Sequence, residues 1–101
     1  MRQHNYFVYI ITNSTKSTLY IGVTNDLSVR LKQHYDNRGA NETFAGRYHC
    51  YYLVYWEHHT EINFAIEREK ELKQWRREKK DDLITAFNPE WRFLNRDVEE
   101  E

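Results

Sequence analysis

The sequence predicts an α/β (α+β) domain. A small three-stranded antiparallel sheet is flanked by helices, in the order β-β-α-β-α-α. Three observations predict it. Residues 6–12 and 19–23 are short runs rich in β-formers, joined by six turn-forming residues, 13–18. Residues 50–56 run without a charge, as a strand covered on both faces does. After the second run, and again from Thr60, the apolar period changes to that of a helix.

The first strand places Phe7, Tyr9 and Ile11 on one face, because strand side chains alternate. In the second strand Tyr20 and Gly22 share a face. An even-numbered loop between the strands turns Tyr9 and Tyr20 to the same side. Gly22 leaves a bare spot beside Tyr20, where a ligand or another backbone can approach.

The first helix follows at once. Thr24 or Asn25 is the expected cap, Asp26 suits the positive first turn, and Leu27 and Leu31 form the apolar stripe. Arg30 and His34 are four residues apart and stack on one face beside that stripe. Two readings stand for this pair: chemistry, or a surface pair with buried stems.

Residues 36–49 form the longest irregular segment, which in a small domain is functional or mobile. The charge-free run is then the third strand. A helix starts near Thr60, with Thr60 as cap, Glu61 in its first turn, and Ile62, Ala65, Ile66 and Leu72 on one side. Glu69 falls inside that apolar arc and Glu67 outside it. A carboxylate turned toward a sheet is costly unless paired, protonated or metal-bound, so Glu69 is the acid to suspect. The structural alternative is a salt bridge to Arg30 or Lys73. A break near residues 77–80 leads to a short helix with Leu83, Ile84 and Phe87, ended by Asn88 and Pro89. Trp91, Phe93 and Leu94 pack back on the body, and residues 97–101 read as a frayed acidic tail.

With 101 residues the chain has room for one core, so residues 1–101 read as a single domain whose core spans about 6–94. Forty per cent hydrophobic and 16% aromatic composition argue against disorder. The single Cys50 excludes an internal disulfide and fits a reducing compartment. No apolar run reaches the ~20 residues of a membrane span, and the first residues lack a signal-peptide core. The expected location is the cytoplasm. Net charge is −1, yet residues 68–80 hold seven basic residues against three acidic. Such a stripe binds phosphate or is a solvated face with Glu–Lys pairs.

No Ser-His-Asp or Cys-His arrangement stands out, and Cys50 reads as a small core residue. His58 and His59 are adjacent on a strand and point apart, so zinc spacing is weak. The remaining inventory suits attack of water on a phosphodiester. A carboxylate holds a hard divalent ion, the ion acts as Lewis acid, and arginine stabilises the extra charge. A tyrosine near a cation or metal-bound water is pulled below its usual pKa of about 10 and serves as base.

Phe7-Val8-Tyr9, Tyr20-Ile21-Gly22, the Arg30-x-x-x-His34 spacing and Arg68-Glu69 followed by Leu72-Lys73 together resemble the GIY-YIG nuclease superfamily. The likeness covers residues 6–94, in the manner of its small stand-alone members. It implies metal-dependent DNA cleavage, in repair or recombination. By position it implies Tyr9 as general base or water-orienting group and Tyr20 as a lining residue that holds water or phosphate. Arg30 is implied as transition-state stabiliser, His34 as aid to the arginine or proton relay, and Glu69 as the one protein ligand to Mg²⁺ or Mn²⁺. Gly22, Lys73 and Asn88 are implied on the substrate side. Phe7 stands where the name motif has its first glycine. With no attached module to read sequence, the implied substrate is branched or flapped DNA, or a protein partner supplies targeting. The alternatives are a nucleic-acid-binding or interaction module with the same fold and little or no catalysis, and a purely structural partner-binding domain.

Overall fold

The computed structural model describes residues 4–99. Strand β1 (Tyr6–Thr12) is central, between β2 (Leu19–Thr24) and β3 (Tyr52–His59), and both pairings are antiparallel. The β1–β2 loop is pinned by Asn13, whose Oδ1 accepts the N–H groups of Ser17 (2.9 Å) and Thr18 (3.1 Å). The loop sets Tyr9 opposite Gly22 and Ile11 opposite Tyr20, so both tyrosines share a face, as expected.

Helices cover both faces of the sheet. On one face Tyr9, Ile11 and Leu53 pack against Leu27 and Leu31 of α1 (Leu27–Asp36), Ala45 of α2 (Phe44–Arg47) and Leu94. On the other, Val8, Ile10, Ile21 and Val54 pack against Ala65 and Leu72 of α3 (Ile62–Gln74) and Ile84 of α4 (Arg77–Phe87). Being covered twice, β1 is buried from Val8 to Thr12. A bulge in the β1–β3 pairing, between Ile10 and Ile11, lets Val54 and Tyr55 join the same core cluster. No helix among the described residues is long and apolar enough to cross a membrane.

Several element limits differ from the sequence reading. Asp26, not Thr24 or Asn25, caps α1: it accepts from Val29 N–H at 3.1 Å, while Thr24 Oγ1 holds Asp26 N–H at 3.1 Å. Strand β3 runs to His59 because its charged end is matched from α3 (below). Helix α3 starts at Ile62 with Glu61, not Thr60, at the cap position and no side-chain cap bond. Ile62 is exposed rather than on the buried stripe. The break after α3 comes at Trp75 and Arg76, both extended, and Trp75 packs on the core. The helix after it is therefore longer than expected.

The irregular segment contains α2, and the C-terminal stretch is tied down. Asn95 opens α5 (Asn95–Val98); its side chain accepts from Leu53 N–H (2.9 Å) and donates to Tyr51 O (3.0 Å). Tyr51 donates to Glu99 at 3.0 Å. The tail expected to fray is held as far as Glu99, and Glu100 and Glu101 lie outside the described residues.

Candidate active site

Burial of Leu27 and Leu31 turns the next strip of α1 toward the sheet, and with it Arg30 and His34. His34 is 7% exposed. Its Nε2 lies 2.8 Å from the hydroxyl of fully buried Tyr9. Arg30 Nε donates to the same hydroxyl at 3.2 Å, and its Nη1 donates to Gln33 Oε1 at 2.9 Å. Arginine can only donate, and the hydrogen of a fully buried hydroxyl needs an acceptor, so the Tyr9 hydrogen is assigned to His34 Nε2. His34 is then the Nδ1–H tautomer, a neutral acceptor. Its pKa agrees: burial, aided by the Arg30 charge, lowers it to about 4.

The Tyr9 ring overlies Gly22. A Cβ there would stand 2.5 Å from the Tyr9 hydroxyl. The bare spot, expected to admit a ligand or another backbone, is taken by the phenol of the facing strand. Tyr20 stands beside it, with ring centroids 6.4 Å from Tyr9 and 5.5 Å from His34. Tyr20, Arg30 and His34 line a cleft of about 150 Å³, together with Gln33, Asn37 and Phe44.

One expectation for this cluster is corrected. Proximity to Arg30 does not bring Tyr9 below its ordinary pKa. Burial dominates, Arg30 offsets only part of it, and the hydroxyl is raised to about 12. The Tyr9 side chain has no exposed surface, and its hydroxyl joins Arg30 to His34.

Glu69 comes from the opposite layer, since α3 covers the other face of the sheet. It is not among the cleft-lining residues. Its side chain is 14% exposed and pairs with Lys73 at 2.6 Å, while Glu67 faces solvent, as the helical phase predicted. Its charge reaches Tyr9 and adds to the upward shift there. Among the described residues no group of three or more His, Cys, Asp or Glu is placed to hold a metal. A single carboxylate with water and phosphate oxygens is nevertheless a donor set that Mg²⁺ accepts. Asn88 is away from the cleft. Its amide donates to Val54 O (3.1 Å) and Arg92 O (2.9 Å) and accepts from Arg92 N–H (3.0 Å). These bonds hold the Asn88 side chain between β3 and the chain after α4. Cys50 is buried, and burial raises its thiol to about 11, consistent with a core residue.

One network was not anticipated. Tyr55, Glu57 and His59 alternate along β3 onto the α3 face. Glu57 takes hydrogen bonds from the Tyr55 hydroxyl, His59 Nε2 (2.7 Å) and Arg68 Nε (3.0 Å). Burial alone would raise the Glu57 carboxyl, but these three partners lower it. Arg68 also pairs with Glu71 at 3.1 Å. The clamp fixes the rotation of α3 one residue from Glu69. The period-2 spacing of Tyr55, Glu57 and His59 was its sequence signal.

Residues 5–82 match the family model described as the GIY-YIG catalytic domain. The chain belongs to the GIY-YIG family. A UPF0213 protein of Bacillus pumilus is 37% identical over 90 residues, covering 89% of each chain. A UPF0213 protein of Staphylococcus aureus is 38% identical over 80 residues, covering 79% of this chain and 94% of that one. The solution NMR structure of a UPF0213 protein from Bacillus halodurans aligns with TM-score 0.51 at 32% identity, over 81% of this chain and 84% of that one. GIY-YIG membership and this likeness accord with the antiparallel sheet and flanking helices. A GIY-YIG catalytic domain suggests an endonuclease and implies DNA as substrate.

Proposed function

We propose that this chain is a metal-dependent endonuclease that hydrolyses DNA phosphodiester bonds, in repair or recombination. The observation that carries the reading is that Tyr20, Arg30 and His34 line one cleft of a GIY-YIG scaffold, with Tyr9 buried behind them and bonded to Arg30 and His34. Arg30 is held through Nε by Tyr9 and through Nη1 by Gln33, which leaves its remaining guanidinium donors for a phosphate oxygen in the cleft. There it stabilises the charge that grows as water attacks. Tyr20 borders the same space and orients the attacking water or the phosphate. Neutral His34 keeps the Tyr9 hydrogen on its own side, so the Tyr9 oxygen faces Arg30 as acceptor.

Glu69 would hold the divalent ion, Mg²⁺ or Mn²⁺, with Lys73 beside it to meet a phosphate oxygen. Such an ion supplies Lewis-acid polarisation of the phosphate and offsets charge on the leaving oxygen. The substrate we favour is branched or flapped DNA.

A second reading is a DNA-binding module without turnover. It draws on the burial of Tyr9, which deprives the site of an obvious base. The two separate in a cleavage assay on plasmid, flapped and branched DNA, with Mg²⁺ or Mn²⁺ and with chelator. Metal-dependent nicking supports the enzyme. Salt-dependent binding with no product on any substrate supports the module.

A further inference from the structure

Two large rings stand in solvent at the mouth of the cleft. Phe44 is 52% exposed and Tyr48 is 45% exposed. Their centroids are 4.8 Å apart, and Phe44 in turn lies 6.4 Å from Tyr20, with planes 27° apart. The rings thus continue outward from Tyr20, and Phe44 itself lines the cleft.

Their backbone is rigidly held. A Cβ on Gly46 would meet Asn37 O at 2.6 Å and Ala40 O at 2.7 Å, so α2 is pressed onto the preceding loop. Gly39 N–H donates to Gly46 O and Cys50 N–H to Ala45 O, both at 2.8 Å. Ala45 faces the core while Phe44 and Tyr48, four apart, face out. The exposure therefore comes from a pinned segment that turns its small residues in and its rings out.

We propose that Phe44 and Tyr48 form a stacking platform for an unpaired nucleobase next to the phosphate gripped by Arg30. The substrate class is then single-stranded or flapped DNA rather than continuous duplex. This rests on the proposed function, since it takes the cleft as the phosphate site. The chemistry next to the rings selects a nucleotide. Arg30 suits a phosphate, while Gln33 and Asn37 bring amide groups that suit a base edge. Within a duplex each base face is covered by its neighbours, so only an unpaired base can lie on an aromatic ring.

The test is fluorescence anisotropy in chelator, with labelled single-stranded, flapped and blunt duplex oligonucleotides. Phe44→Ala, Phe44→Leu, Tyr48→Ala and Phe44→Trp are compared with wild type, with circular dichroism to check folding. Phe44→Ala, Phe44→Leu and Tyr48→Ala are expected to weaken single-strand and flap binding about tenfold each and to leave duplex binding within about twofold. Phe44→Trp should retain the wild-type preference. The platform is overturned if Phe44→Leu binds single strands like wild type, or if the variants lose single-strand and duplex binding equally. If the preference holds but wild type cleaves nothing with metal, the hydrolase reading fails and the platform stands. If duplex is cleaved without dependence on either ring, the platform fails and the hydrolase reading stands.

Discussion

His34 Nε2 lies 2.8 Å from the Tyr9 hydroxyl oxygen, as the acceptor of its hydrogen by the assignment above, and both residues are buried. A histidine so placed must be neutral, and its pKa is lowered to about 4 by burial, with help from Arg30. The unfolded chain, with histidine near its ordinary value, binds the proton first as pH falls. Stability is therefore complete above the ordinary histidine range and declines as pH drops from there toward 4. Between pH 7 and 5 the loss assigned to His34 is about 2 kcal/mol. Urea titrations at those two pH values should show it, and His34→Gln should flatten the difference. An unchanged difference in that variant would assign the slope to other groups.

Tyr9→Phe removes the oxygen that joins Arg30 to His34. Two buried or half-buried partners lose their bond, at a cost of about 1–3 kcal/mol. Activity should fall with it, because Arg30 loses its anchor. If Tyr9 is a positioning residue, the residual activity keeps the wild-type pH profile. Loss of a basic limb together with the activity would restore the general-base role.

Gly22→Ala drives a methyl group into the Tyr9 hydroxyl, at the 2.5 Å approach described above. The ring must shift, and the expected destabilisation is about 1–3 kcal/mol. Thermal melts of Gly22→Ala, Tyr9→Leu and the double variant test this, because the ring carbons as well as the hydroxyl crowd the new methyl. The alanine should cost less once the ring is gone. Additive losses would mean that the two residues do not share the space.

Much of this arrangement was legible in the chain. The Leu27/Leu31 stripe with Arg30 and His34 beside it gave the helix and its inward groups. An even loop gave Tyr9 and Tyr20 a common face. The helical phase distinguished Glu69 from Glu67. What was missed depended on distant partners. The titration of Tyr9 is decided by the α1 layer that buries it, which local residues do not reveal. Strand β3 continues through Glu57 because Arg68, from another element, receives its charge. Asn88 looks like a polar site residue until its three backbone partners are seen. Phe44 stood alone in a polar segment, with Thr43 before it as the N-cap signal, its side chain accepting from Gly46 N–H at 3.0 Å.

The proposed cleavage depends most on Arg30 and Glu69, which approach from opposite layers. The direct measurement is initial nicking rate on flapped DNA in Mg²⁺ and Mn²⁺ for wild type, Arg30→Ala and Glu69→Gln, each verified as folded. Wild type should cleave, and each variant should fall by about 100-fold or more, as removal of a transition-state charge partner or metal ligand does. Equal rates in all three proteins, or no cleavage by wild type on any DNA, would contradict it.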